Sequence, residues 1–275
     1  LLAAYGRSGR TQLPALTATL DHHRQMVPDS VEVWGSASST EQQECKRSAM
    51  KAVFDGHPEL FLRATEGVRA WAQHLEGDRL CGSAELHRLE RDEYFDSSKA
   101  GRPAALKSRA LVGASGTGKS RLLARWILDA QVTVQPRPYF VRLEPEDLSR
   151  GVEALCSALG IGAAASQLIE LGYARAEEVL RTFFQFASRN DQNRGFVLII
   201  DSLERATAVT SAIRFLRAVR EIPEAAIWVT CRRSAWSGRF EAAVDLELAQ
   251  VADIDERMVA DVLAGVGLCM SGKMP

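Results

Sequence analysis

RALVGASGTGKSRLLARWILDA, residues 109–130, reads as a strand, a tight loop and a helix in immediate succession. RALV is short and largely apolar, and Leu122, Leu123, Trp126, Ile127 and Ala130 then recur at the spacings of an amphipathic helix. Between them GASGTGKS, 113–120, satisfies the pattern G-x-x-x-x-G-K-[ST], with both the preceding strand and the following helix that give the pattern structural meaning. Glycines at 113, 116 and 118 free the backbone to form a concave turn with inward-pointing N–H groups, where side chains would block the dihedrals or the phosphates. A helix starting near Gly118 adds the partial positive charge of its N-terminus. Gly113, Ala114, Ser115, Gly116, Thr117, Gly118, Lys119, Ser120 and Arg121 are therefore expected to cradle a polyphosphate. Lys119 would reach the β- and γ-phosphates, and the Ser120 hydroxyl would bind Mg²⁺. The competing reading is a chance glycine-rich turn before a helix.

The alternation continues downstream. Apolar runs at YFVRL (139–143), FVLII (196–200), AIWVT (226–230) and VDLEL (244–248) are separated by helical stripes. One stripe is Leu148, Val152, Leu155 and Leu159, another Leu180, Phe183, Phe184 and Ala187, and a third Ile213, Leu216 and Val219 or Arg220. This pattern predicts a three-layer α/β/α domain over residues 105–251, built on a mostly parallel five-stranded sheet. In such a sheet ligands gather beyond the carboxyl ends of the strands, so Asp201, directly after FVLII, shares an edge with the glycine loop. An isolated buried carboxylate is costly to ionise. Mg²⁺ shared with Ser120 would be its partner; the plainer alternative is that Asp201 caps the turn after the strand. Ser202 follows Asp201, and the next acid is Glu204. Glu204 is read either as the carboxylate that positions an attacking water or as an acid complementing a helix N-terminus. Histidine is absent after His87, which excludes imidazole catalysis in this core, and no lysine fits the guanine-reading pattern [NT]-K-x-D. ATP is thereby favoured over GTP.

An Asp followed by a small residue, with a further acid three positions on, resembles the NACHT group of STAND NTPases, relatives of the AAA+/ASCE ATPases. The resemblance runs from 109 to about 263. YFVRL and EDLSRGVEALCSALG look like the family's second strand and helix, AIWVTCRRS like its sensor strand. VDLELAQVADIDERMVADVLA is similar to the strand and helix that lead toward a winged-helix region. The resemblance implies the sheet order 5-1-4-3-2, ATP and ADP as ligands with Mg²⁺, Thr230 as polar sensor and Arg232 as the γ-phosphate-sensing cation, with Arg233 as its possible substitute. Against it, CRR also reads as a solvated loop whose arginines pair with surface acids. One departure is Arg205 after Glu204, where many NACHT sequences carry a second acid; it bears on hydrolysis and not on binding. The family implies an ATP-hydrolysing switch domain of a larger signalling or defence protein, resetting slowly. The alternatives are an ATPase motor or loader acting on nucleic acid, of transposition or repair type, and a module that holds nucleotide without turnover.

Residues 1–104 read as an N-terminal irregular and helical region. Residues 1–39 lack a sustained period, and the DHH at 21–23 lacks further ligands for a metal. TEQQ at 40–43 is a capping box opening a helix to about Phe54, and a second helix near Pro58 carries the stripe Phe61, Ala64, Val68, Trp71 and Leu75. ELHRLERDEYF (85–95) is a charged helix and DSSKAGRP (96–103) a linker. Residues 252–275 begin a further helical region, and the chain, which opens on Leu1, is expected to be a piece of a longer protein. A net charge of −1 shows no whole-chain footprint for nucleic acid, though a local basic patch is compatible with it. Cys45, Cys81, Cys156, Cys231 and Cys269 are scattered singly, which fits a reducing compartment, and no run approaches the roughly 20 apolar residues of a membrane span. A soluble, cytoplasmic protein is expected, with nucleotide as ligand and with self-association or protein partners through its flanks.

Overall fold

The structure, a computed structural model, describes residues 59–77, 106–170, 172–190 and 195–251. The readings made above for 1–54, 85–103 and 252–275 lie outside these residues, as do Cys45, Cys81 and Cys269. In chain order the elements are α1 (Leu60–Gly77), β1 (Arg109–Gly113), α2 (Lys119–Thr133), β2 (Tyr139–Arg142), α3 (Val152–Ala158), α4 (Ala165–Glu170), α5 (Ala176–Asn190), β3 (Phe196–Ile200), α6 (Val209–Arg220), β4 (Ala225–Arg232) and β5 (Glu247–Gln250). Two units result. Thr65–Ser149 with Asn193–Pro275 contains the sheet, and Leu1–Ala64 with Arg150–Gln192 contains α3 to α5. None of the described helices is long and apolar enough to cross a membrane.

All four strand pairings are parallel, in the order β2-β3-β4-β1-β5. This is the expected 5-1-4-3-2 read from the opposite edge. Buried central strands of a parallel sheet need apolar side chains on both faces. β1 and β3 are buried at every position and β4 from Ala225 to Cys231, whereas the edge strand β5 is largely exposed. The register sets Gly113 beside Arg232 and Ile200 beside Val229, so the carboxyl ends of β1, β3 and β4 come out on one edge. Helix α2 buries the whole expected stripe, from Leu122 to Ala130, against this sheet. Trp126 meets Trp228 edge-on at 6.2 Å between centroids, and the Trp228 indole N–H donates to the Lys107 carbonyl at 2.9 Å.

Three details differ from the sequence reading, each for a local reason. The last strand is Glu247–Gln250 and not 244–248: Val244 N–H closes a turn onto the Phe240 carbonyl at 2.8 Å, and pairing with β1 starts only at Arg109 with Glu247. Val244 and Leu246 are buried nonetheless, so the apolar signal was real but belongs to the approach. The stripe Leu148–Leu159 is two segments, because Gly151 at φ 57° separates the 3₁₀ turn Pro145–Arg150 from α3. A Cβ at Gly151 would also sit 3.2 Å from the Ala174 carbonyl oxygen. In α6 the inner face is Ala212, Phe215, Leu216 and Val219, which resolves the choice between Val219 and Arg220 and leaves Ile213, expected on the stripe, only half-buried beside Ala212.

In the sheet unit, Val68 and Ala72 of α1 join the core, with Trp71 and Leu75 packed against it. In the other unit, Phe61 stacks on Phe183 at 3.9 Å. Strand β2 lies at the sheet edge, where unpaired backbone groups invite foreign strands. The Phe140 N–H donates to the Thr65 hydroxyl at 2.9 Å, and that hydroxyl lies 3.4 Å from the Phe140 carbonyl, to which it donates in turn. One side chain of α1 thus satisfies both outward groups of a fully buried residue. Thr65→Val should lower the unfolding free energy by about 1–3 kcal/mol, since it leaves a buried N–H without an acceptor. Thr65→Ser should recover most of the loss, and urea titration of both variants checks it.

Candidate functional site

The glycine loop leaves β1 at Gly113 and ends where α2 begins. Gly116 and Gly118 hold φ of 80° and 81°, the left-handed region that a side chain disfavours. A Cβ at either would meet no atom within 4 Å, so the restriction at these two positions is one of dihedral and not of crowding. Gly113 is the reverse. Its φ is ordinary, but a Cβ there would lie 3.0 Å from both Thr117 Oγ1 and the Val251 carbonyl oxygen. Close approach by the chain leaving β5, rather than turn geometry, accounts for that glycine.

Inside the loop, Thr117 Oγ1 donates to the Ala114 carbonyl at 3.0 Å, and the Lys119 ammonium donates to the same oxygen. Ala114 and Ser115 are exposed, Ser120 and Arg121 half-buried. Lys119 is only 9% exposed. Burial holds its pKa below the ordinary 10.5, opposed by the charge of Glu204 and reinforced by that of Arg232. An anion entering the loop would compensate this buried charge.

Asp201 follows the last residue of β3 and is the hub of the site. The Ser120 hydroxyl donates to Asp201 Oδ1 at 2.7 Å and the Thr230 hydroxyl donates to the same oxygen at 2.6 Å. Thr230, fully buried in β4, accepts in turn the Ser202 N–H at 2.7 Å. Ser202 needs that tie, since it sits at φ 62°, where a residue with a Cβ is disfavoured by about 1–2 kcal/mol. Both hydroxyls use Oδ1, which leaves Oδ2 with capacity for a further partner. A hydroxyl and a carboxylate are hard oxygen donors suited to Mg²⁺, with phosphate oxygens and water completing its shell. Among the described residues no group of three or more His, Cys, Asp and Glu could hold a metal ion, so a zinc-type protein cage is not what this site offers.

The left-handed residue turns the chain into a 3₁₀ turn, Leu203–Arg205, which brings Glu204 to the end of β4. Glu204 Oε2 accepts the Arg232 backbone N–H at 3.2 Å, and Oε1 lies 3.1 Å from Arg232 Nε. Cys231, between Thr230 and Arg232, is buried, which together with Glu204 pushes its thiol up to about 12. Arg205 turns elsewhere, to Glu146 at 2.6 Å, and Arg233 is exposed in a short helical turn after β4. Of the residues singled out from sequence, the structure therefore gathers Ser120, Asp201 and Thr230 into one hydrogen-bonded chain and Glu204 with Arg232 into an adjoining pair. The Thr230–Asp201 bond was not anticipated, nor was the packing of Val251 on Gly113. Both depend on which strands are neighbours, information that no single segment carries.

A parallel sheet of this order, with a glycine loop after β1 and a carboxylate after β3, is the α/β architecture of P-loop NTPases. No protein-family model matches the chain, and a search of curated proteins finds no match. Solved structures resemble it distantly. Drosophila ORC bound to GC-rich DNA and Cdc6 aligns over 76% of this chain and 34% of that one, at 16% identity and a TM-score of 0.42. The Aeropyrum pernix ORC1 protein in complex with DNA aligns over 59% and 44%, at 15% identity and 0.38. C. elegans PCH-2 aligns over 78% and 50%, at 14% identity and 0.34. The chain thus spans at most half the length of any of these three. Likeness of this order says nothing of site chemistry, which rests on the distances above.

Thr230→Val should destabilise the protein by about 1–3 kcal/mol, because Asp201 loses a donor and the Ser202 N–H its acceptor. Thr230→Ser keeps the hydroxyl and should cost far less. Equal losses for the two variants, measured by urea unfolding at neutral pH, would assign the effect to packing instead.

Proposed function

We propose that the domain over 105–251 binds ATP and ADP with Mg²⁺ and hydrolyses ATP slowly, as the nucleotide-controlled switch of a STAND- or NACHT-like protein. The observation that carries the nucleotide reading is the 2.7 Å bond between Ser120 Oγ and Asp201 Oδ1. It joins the first turn of the helix after the glycine loop to the end of a strand two places away in the sheet, 81 residues on in sequence. Two oxygen donors so placed meet at the mouth of a loop built from main-chain amides.

The geometry supports the following division of labour. Loop N–H groups and the start of α2 hold the phosphates by fixed dipoles. Lys119 exchanges the Ala114 carbonyl for a phosphate oxygen. Ser120 and Asp201 would hold Mg²⁺, which when bound neutralises developing charge on the phosphates. Thr230 keeps the Asp201 carboxylate aimed, while Arg232, paired in register with Gly113 where the loop begins, would add a second cation beside Lys119. The switch character is supported by the resemblance of the D-S-L-E and T-C-R segments to the NACHT group and by how many of these ties run between β3 and β4.

A net charge of −1 does not exclude nucleic acid, since Arg232 at the end of β4 and Arg233 and Arg239 after it are all exposed. ATPase assays with and without duplex DNA, over a salt series, address that reading. Steep salt-dependent stimulation would favour a motor or loader.

Lys119→Ala should weaken ATP binding about 100-fold or more by equilibrium titration, having removed a buried charge-assisted donor. In the unaltered protein the alkaline limb of the ATP-affinity profile should fall at a pH below 10.5. The sign follows from burial: the depressed pKa means that the ammonium charge is lost earlier on raising pH, and the phosphate attraction is lost with it.

A further inference from the structure

We propose that Glu204 is a positioning residue: it aims the Arg232 guanidinium at the place of the terminal phosphate, so that the pair sets the preference for triphosphate over diphosphate. The inference rests on the nucleotide reading above. It differs from the sequence expectation, in which Glu204 orients the attacking water. Both oxygens of its carboxylate reach Arg232, Oε2 at the backbone N–H at 3.2 Å and Oε1 at Nε at 3.1 Å, with the neighbouring Cys231 thiol also against the carboxylate. Two contacts from one residue, one on its main chain and one on its side chain, close a ring that restricts the arginine's rotamers. A single exposed ion pair would not achieve that.

The geometry leaves the working end of Arg232 outward. Glu204 engages Nε and not the terminal fork, so Nη1 and Nη2 remain for a bidentate partner, and an anionic tetrahedral group is what that fork matches. Arg232 is 57% exposed while Glu204 is 15% exposed, as suits a reaching cation on a fixed support. Strand register places Arg232 beside Gly113, where the loop begins. The charges of both Glu204 and Arg232 act on Lys119, the residue expected at the β- and γ-phosphates, which sets all three in one neighbourhood. A diphosphate would end short of the fork; a triphosphate would meet it. Prior fixation lowers the ordering cost of that contact.

The test uses the 275-residue chain and four proteins: unaltered, Glu204→Gln, Arg232→Ala and the double variant. Affinities for ADP and for a non-hydrolysable ATP analogue are measured with Mg²⁺ present, and single-turnover hydrolysis of ATP is followed. Arg232→Ala should reduce the triphosphate-to-diphosphate preference about tenfold or more, with ADP affinity nearly unchanged. Glu204→Gln should reduce the same ratio in the same direction. In the Arg232→Ala background it should change neither the ratio nor the hydrolysis rate, since Glu204 then has nothing to aim. Loss of turnover by Glu204→Gln in that background would overturn the proposal and return Glu204 to the water. Parallel loss of ADP and ATP affinity in the single variants would also overturn it, as the pair would then merely support the fold. Binding of neither nucleotide by the unaltered chain would overturn this inference together with the nucleotide reading.

Discussion

One oxygen atom organises this site. Asp201 Oδ1 accepts hydroxyls from Ser120 at the start of α2 and from Thr230 near the end of β4, while Asp201 itself leaves β3. Three segments remote in sequence are tied within hydrogen-bonding distance of a single carboxylate. A carboxylate at the end of a buried strand would otherwise be a liability, and the two donors make its charged form tolerable there. The same arrangement keeps the loop end of α2 and the ends of β3 and β4 in register with one another. The Ser202 N–H extends the chain of bonds by one link and holds a left-handed residue that would otherwise be unfavourable.

Much of this was visible in the primary structure because the relevant signals are local. The glycine octet lies between a strand and a helix within 22 residues, and FVLII followed by Asp201 is a complete strand and its terminal acid. The sheet order came with the resemblance to the NACHT group, and the register confirms it. Less legible were features that arise from packing between segments. Gly113 looks like one more loop glycine until Val251 is seen against it, and VDLEL has a strand's alternation although its first three residues serve as approach. Gly151 sits within an unbroken apolar stripe, and only its left-handed backbone and the nearby Ala174 carbonyl show why one helix becomes two segments. Periodicity reports which side of a segment is buried and is silent on whether the backbone stays continuous.

The electrostatics around Lys119 show how a binding site can be stable and yet expectant. A lysine that is 9% exposed feels the charges of both the Glu204 carboxylate and the Arg232 guanidinium and donates to a carbonyl of its own loop. The carboxylate and the carbonyl offset part of the cost of burying its charge, the guanidinium adds to it, and the depressed pKa records the balance. The loop is thus folded around a charge that a polyanion would satisfy better than the protein does.

The approach of Val251 to Gly113 ties the residue that follows β5 to the start of the glycine loop. The Val251 N–H donates to the Val112 carbonyl at 2.8 Å, and its own carbonyl occupies the space that a side chain at Gly113 would need. Val251 is therefore fastened beside the residue from which the loop springs. Any shift of the backbone at Gly113 as the loop closes on an anion would press first on the Val251 carbonyl, so loop and sheet edge share one short lever arm.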